Sequence, residues 1–232
     1  MTPLQRSLAQ APTASPFGFD LDAAGVVALD LSAGNAALGA FDPLDLERFG
    51  TWVQAQMHAA AVRCAAGGYA EDRALYRLSP LFRRADGRWR TIHLGVDLWA
   101  AAGTPVHAVL DGRLHSLADN RTFGDYGPTL VFAHEIDGWR FHTLYGHLAR
   151  AGLSTLRPGQ VVGAGERIGA LGEPGENVGW PPHLHFQIVI DLEGRTGDYP
   201  GVCEAGERER WLANCPDPNL LLRIAALRSH SP

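Results

Sequence analysis

Between about residue 90 and residue 192 the chain is cut into short apolar runs, separated at close intervals by Gly, Pro, Asp and Asn. That punctuation leaves no room for long helices and calls for strands that reverse direction again and again. The spacing predicts strands at 93–98, 106–110, 113–118, 129–134, 140–147, 161–162, 167–171 and 183–190. The fold class is therefore mainly β, with an antiparallel sheet as the core.

The flanks read differently. Residues 1–16 are rich in Ala, Pro, Ser and Thr and lack periodicity, which predicts a flexible tail. From 17 to 38 apolar residues alternate with turn formers, which suggests a short hairpin. Leu46, Phe49, Trp52, Val53, Met57, Ala60 and Ala61 then recur at helical spacing, with Asp42 and Pro43 as a start signal and Gly67 and Gly68 as a stop. This is one long helix, expected to pack on the core. At the other end NLLLRIAALR, residues 219–228, predicts a short C-terminal helix. The expected division is a tail at 1–16, an N-terminal extension containing the long helix at 17–90, and the sheet domain at 91–228.

Composition excludes several partners. The 232 residues are 46% apolar, carry a net charge of -5 and contain no Lys/Arg-rich run, so a nucleic-acid backbone has no footprint to bind. No apolar run is long enough to span a membrane, and the first residues lack the apolar core of a secretory signal. A cytoplasmic location is the expectation. Three cysteines, Cys64, Cys203 and Cys215, are too few for a disulfide framework and too widely spaced for a zinc knuckle. Reduced thiols are expected, although Cys203 and Cys215 could pair.

The chain holds ten histidines, and four of them fall in three short motifs of the strand-rich region. His93-Leu-Gly-Val-Asp97 places an imidazole and a carboxylate near one strand end, and both are good zinc ligands. His183-Leu-His185-Phe puts two imidazoles on one face of a strand and Leu184 and Phe186 on the other. One of the pair could ligate while the other stands beside the ion. Tyr-Gly-His147-Leu ends a strand and could reach a cleft from a second wall. Each motif alone is as easily a structural histidine; their combination on one sheet favours a site. His107, His115, His134 and His142 match no ligand spacing and read as surface or hydrogen-bonded positions. No H-E-x-x-H helix is present, so any general base should be an imidazole.

The order H-x-x-x-D, Y-G-H-L, H-L-H-F resembles the lysostaphin/LytM-type zinc metallopeptidases. Turns such as Gly103-Thr-Pro-Val106, Asp111-Gly112, Tyr126-Gly127 and Pro158-Gly-Gln-Val161 look similar to that family's, over roughly residues 91–190. The resemblance implies zinc as cofactor, with His93, Asp97 and His185 as its ligands and His147 and His183 as catalytic residues flanking the reacting water. Tyr145 and Trp180, beside the motifs, are the expected substrate-binding side chains. Segments such as PFGFDLDAAGVVALDLSAGN and DYPGVCEAGERERWLANCPDPNLLL also look similar to the peptidase-like middle segment of large bacterial proteins, where it joins phosphotransferase-like and aminotransferase-like domains. An association with separate enzyme domains is implied on that ground.

The function so implied is a zinc-dependent endopeptidase or amide hydrolase in which histidine activates water. Its substrate would be a peptide or amide, of peptidoglycan type or small. The alternative is a non-catalytic metal-binding or assembly module of the same fold.

Overall fold

The computed structural model describes residues 1–39, 42 and 45–228. Twelve strands are present among them: β1 (Val26–Leu29), β2 (Cys64–Gly67), β3 (Arg90–His93), β4 (Val96–Trp99), β5 (Pro105–His107) and β6 (Gly112–Asn120), followed by β7 (Gly127–Ile136), β8 (Trp139–Gly146), β9 (Val161–Val162), β10 (Arg167–Ala170), β11 (His183–Val189) and β12 (Val202–Glu204). Eight form one sheet in the order β1-β2-β4-β11-β8-β7-β6-β9, while β5 pairs with β10 and β3 with β12. Every pairing is antiparallel except that of β1 with β2. The expected antiparallel, mainly β class is what the chain adopts.

The central strand β11 shows why. Leu184, Phe186 and Ile188 alternate into the main apolar core together with Leu98, Leu130, Phe132 and Tyr145, all fully buried or nearly so. His183, His185 and Gln187 therefore project from the opposite face. Burying one Leu or Phe side chain contributes about 1.5–3 kcal/mol, so the apolar face fixes the register and the histidines follow it.

The extension departs from expectation in three places. Residues 1–16 are not a flexible tail: Pro3–Gln10 is a helix whose Thr2 and Gln5 form a reciprocal capping box, and Leu4, Leu8 and Ala11 sit in the main core. The predicted hairpin at 17–38 is replaced by β1, which runs parallel to β2 and reaches it through the long helix Leu46–Ala59, a crossover that parallel strands require. That helix is present as expected and buries Leu46, Phe49, Val53 and Met57, but its N-cap is Asp45, which accepts from Arg48 N at 2.9 Å. Of the predicted start signal, Pro43 lies outside the described residues. Because β2 pairs with β4, the boundary expected near residue 90 does not separate two bodies; extension and core share one sheet.

The C-terminal helix is also corrected. It is split into Asn219–Leu222 and Ala225–Arg228 by Arg223, whose φ of 55° is left-handed, and the Asn219 side chain takes up Ile224 N and O at the break. A further helix, Arg208–Asn214, precedes it. All three cysteines are free and buried.

One polar group in the sheet gives a pH dependence. His134 on β7 is buried, its Nδ1 donating to Asp111 O at 2.8 Å and its Nε2 against Thr143 Oγ1 at 2.7 Å. Burial lowers its pKa from 6.5 to about 4. Protons therefore bind the unfolded chain first, and stability falls as pH drops from about 6.5 to about 4, below which this contribution is level. The loss amounts to about 3 kcal/mol. Urea unfolding across that range should show a shallower decline for His134→Gln than for the parent protein. An unchanged slope would mean that His134 is not the group responsible.

Candidate metal centre

Three neighbouring strands deliver the site. His185 on β11 lies opposite Asp97 on β4 and opposite Gly146 on β8, and His93 ends β3 four residues before Asp97. The result is a compact trio: His93 Nε2 stands 3.1 Å from His185 Nδ1, His185 Nδ1 3.0 Å from Asp97 Oδ1, and His93 Nε2 3.4 Å from Asp97 Oδ1. All three residues are buried. Gly95 between them has a specific reason to be glycine, since a Cβ there would stand 2.5 Å from the His185 ring and 2.9 Å from Phe186 O.

The surroundings decide which atoms face inward. Gly68 O, an acceptor only, takes His93 Nδ1 at 3.0 Å, so that nitrogen carries the hydrogen and Nε2 presents its lone pair. Gln187 donates its Nε2 to Pro200 O, which turns its Oε1 toward His185 Nε2 at 2.9 Å and leaves His185 Nδ1 as the second lone pair. Asp97 Oδ1 is the third. Burial works against a charged Asp97, but the Arg73 guanidinium beside it holds the carboxyl well below the usual range. Two imidazole lone pairs and a carboxylate oxygen that converge with no donor between them call for a cation. A two-His, one-carboxylate set suits zinc, and the orienting acceptors behind both imidazoles are what such a centre needs.

Two more imidazoles stand beside the trio. His147 Nδ1 donates to Asn177 Oδ1 at 2.7 Å, and Asn177 is itself fixed by Trp180 O and Pro181 O. His183 Nδ1 donates to Pro181 O at 2.7 Å. Both rings thus keep Nε2 free, and their centroids are 3.9 Å apart. Burial, reinforced by His183, lowers the pKa of His147 well below its ordinary value, and burial likewise lowers that of His183. Both are neutral and can accept a proton at pH 7.

Asp97 and His185 of the trio and this pair line one cleft with Trp180, Tyr126, Tyr76 and Phe49. Trp180, the expected substrate-binding residue, is at this cleft, its Nε1 buried with no hydrogen-bond partner among the described residues. Tyr145 is not: it is fully buried in the core on the other side of the sheet, its Oη accepting from Val109 N at 2.9 Å. Sequence reasoning missed four residues of the site. Gln187 was legible, since it shares a strand face with His183 and His185. Tyr126 belongs to a turn already singled out, but nothing there pointed its ring to His185, 4.9 Å away. Asn177 and Arg73 gave no signal at all.

A mainly antiparallel sheet thus gathers a His-Asp-His trio and two imidazoles with free Nε2 at one site. Residues 91–196, a little under half of the chain, match the model of Peptidase family M23. An uncharacterized metalloprotease of Haemophilus influenzae is 31% identical over 137 residues, 56% of this chain and 27% of its own length. The DD-carboxypeptidase/endopeptidase Mpg of Neisseria meningitidis is 35% identical over 116 residues, 50% of this chain and 23% of its own. A zinc containing peptidase from Vibrio cholerae, known as a crystal structure, is 28% identical over 48% of this chain and 31% of that one, with a TM-score of 0.36. The chain spans about a quarter of the length of the two curated relatives. Among the described residues no helix is long and apolar enough to cross a membrane.

Proposed function

We propose that this chain is a zinc-dependent endopeptidase or amide hydrolase. The observation that carries the reading is the pairing of three convergent ligand atoms with two neutral imidazoles that both keep Nε2 free. His93 Nε2, Asp97 Oδ1 and His185 Nδ1 would hold the ion. Bound zinc would polarise the scissile carbonyl and bring the attacking water toward a pKa of about 7.

The remaining work falls to the protein. One of His147 and His183 takes the proton of the attacking water at Nε2, and the imidazolium so formed donates it as a hydrogen bond to the oxygen on which charge develops. Their fixed Nδ1 acceptors hold the two rings ready for both roles. The apolar and aromatic part of the wall suits a peptide.

The substrates to try first are cross-linked peptidoglycan peptides, given the relative named as a DD-carboxypeptidase/endopeptidase, together with short unmodified peptides. Hydrolysis is expected to stop on treatment with a metal chelator and to return when zinc is added back. Turnover that survives complete removal of metal contradicts the mechanism. If no amide is cleaved, the chain is the alternative, a metal-binding or assembly module, of which association with separate enzyme domains would be the natural form.

A further inference from the structure

Arg73 lies in the extension, outside the residues that match the family, and its side chain is 2% exposed. An arginine so deeply buried must spend its donors on defined partners. Its Nε donates to Glu71 Oε2 at 2.7 Å, and Nη2 to Gly68 O at 3.2 Å. Its Nη1 donates to Tyr76 Oη at 3.1 Å and to Asp97 Oδ2 at 2.5 Å. Asp97 is thereby divided: Oδ2 belongs to the guanidinium, and Oδ1 alone faces His93 and His185. Gly68 O serves both arginine and His93 Nδ1, so the same short segment that places the guanidinium also sets the tautomer of a ligand. Glu71 closes the arrangement by accepting from Leu31 N at 2.8 Å through its other oxygen.

We propose that Arg73 is the positioning residue of the metal centre: it restricts Asp97 to one ligating oxygen and draws charge away from it. An arginine that only filled space would do neither. Arg73 acts through Asp97 and Gly68, so beyond the stability lost with any buried ion pair its effect is on how strongly the centre polarises a substrate. The proposal rests on the zinc reading above.

The signs of the expected changes separate these roles. In Arg73→Met, Oδ2 is released and a positive charge beside the ion is gone. Zinc should then bind about tenfold more tightly in competition with a chromophoric chelator, while kcat falls by about 10–100-fold with little change in KM. The visible absorption of the cobalt(II)-substituted protein should weaken as a second carboxylate oxygen joins the coordination. Arg73→Lys, which keeps a cation on Oδ2, should return absorption and affinity toward the parent values. If Arg73→Met does not fold, the double variant Glu71→Gln/Arg73→Gln removes the orphaned carboxylate and is expected to show the same changes. Weaker zinc binding, or cobalt absorption that superimposes on that of the parent, overturns the role of Arg73 and leaves the hydrolase reading intact. A parent protein that binds neither zinc nor cobalt defeats the hydrolase reading itself, and a parent that binds both but cleaves nothing leaves the assignment of Arg73 testable by affinity and absorption alone.

Discussion

Asp97→Ala should leave a protein without zinc that is also less stable by about 3–5 kcal/mol, the usual cost of breaking a buried ion pair from one side. Asp97 is the one ligand with two partners of opposite kind, the imidazoles at Oδ1 and Arg73 at Oδ2, and its side chain is 5% exposed. Its removal strips the centre of its only negative ligand and leaves the buried Arg73 with Glu71 as its one carboxylate partner. His93→Ala should also empty the site but should unfold at a denaturant concentration nearer the parent's, because the Arg73–Asp97 pair survives. Metal content of the purified variants and their urea midpoints check both statements. Retention of zinc by Asp97→Ala, or equal destabilisation of the two variants, would sink the assigned roles.

The second large effect falls on turnover with the metal in place. His183→Ala and His147→Ala should each keep stoichiometric zinc and lose about 10²–10⁴ in kcat, the range that proton transfer by a placed side chain supplies. Neither ring touches the trio through a hydrogen bond, and each is held through Nδ1 by its own acceptor, Pro181 O or Asn177 Oδ1. The two losses should not multiply in the double variant, since groups that act on one transition state fail together. If zinc is lost along with activity in either single variant, that histidine is a ligand and not a catalytic residue.

What the sequence could disclose follows from how local the determining forces are. The period of two in His183-Leu-His-Phe-Gln187 states which residues share a face, and burial of Leu184 and Phe186 enforces it. Tyr145 was expected at the site because it stands beside the motifs, and it is not there. Along a regular strand Tyr145 and His147 lie on one side, but His147 has a φ of 64°, and β8 ends at Gly146. That left-handed step turns the imidazole to the cleft while Tyr145 stays in the core. The helix at Pro3–Gln10 did have a legible start, Thr2-Pro3-Leu4-Gln5, masked by the surrounding Ala, Pro and Ser. Arg73 lies 24 positions from Asp97, and no periodicity links a cation to a carboxylate across two different elements.

The pairing of β2 with β4 has a practical consequence for anyone working with this chain. A recombinant fragment trimmed to residues 91–196 would bare the backbone N–H and C=O groups of β4 that Ala65, Ala66 and Gly67 now cover. An open flank of that kind, beside a fully buried run of Val96, Leu98 and Trp99, is a template for self-association. Such a fragment should precipitate or multimerise where the longer polypeptide stays dispersed.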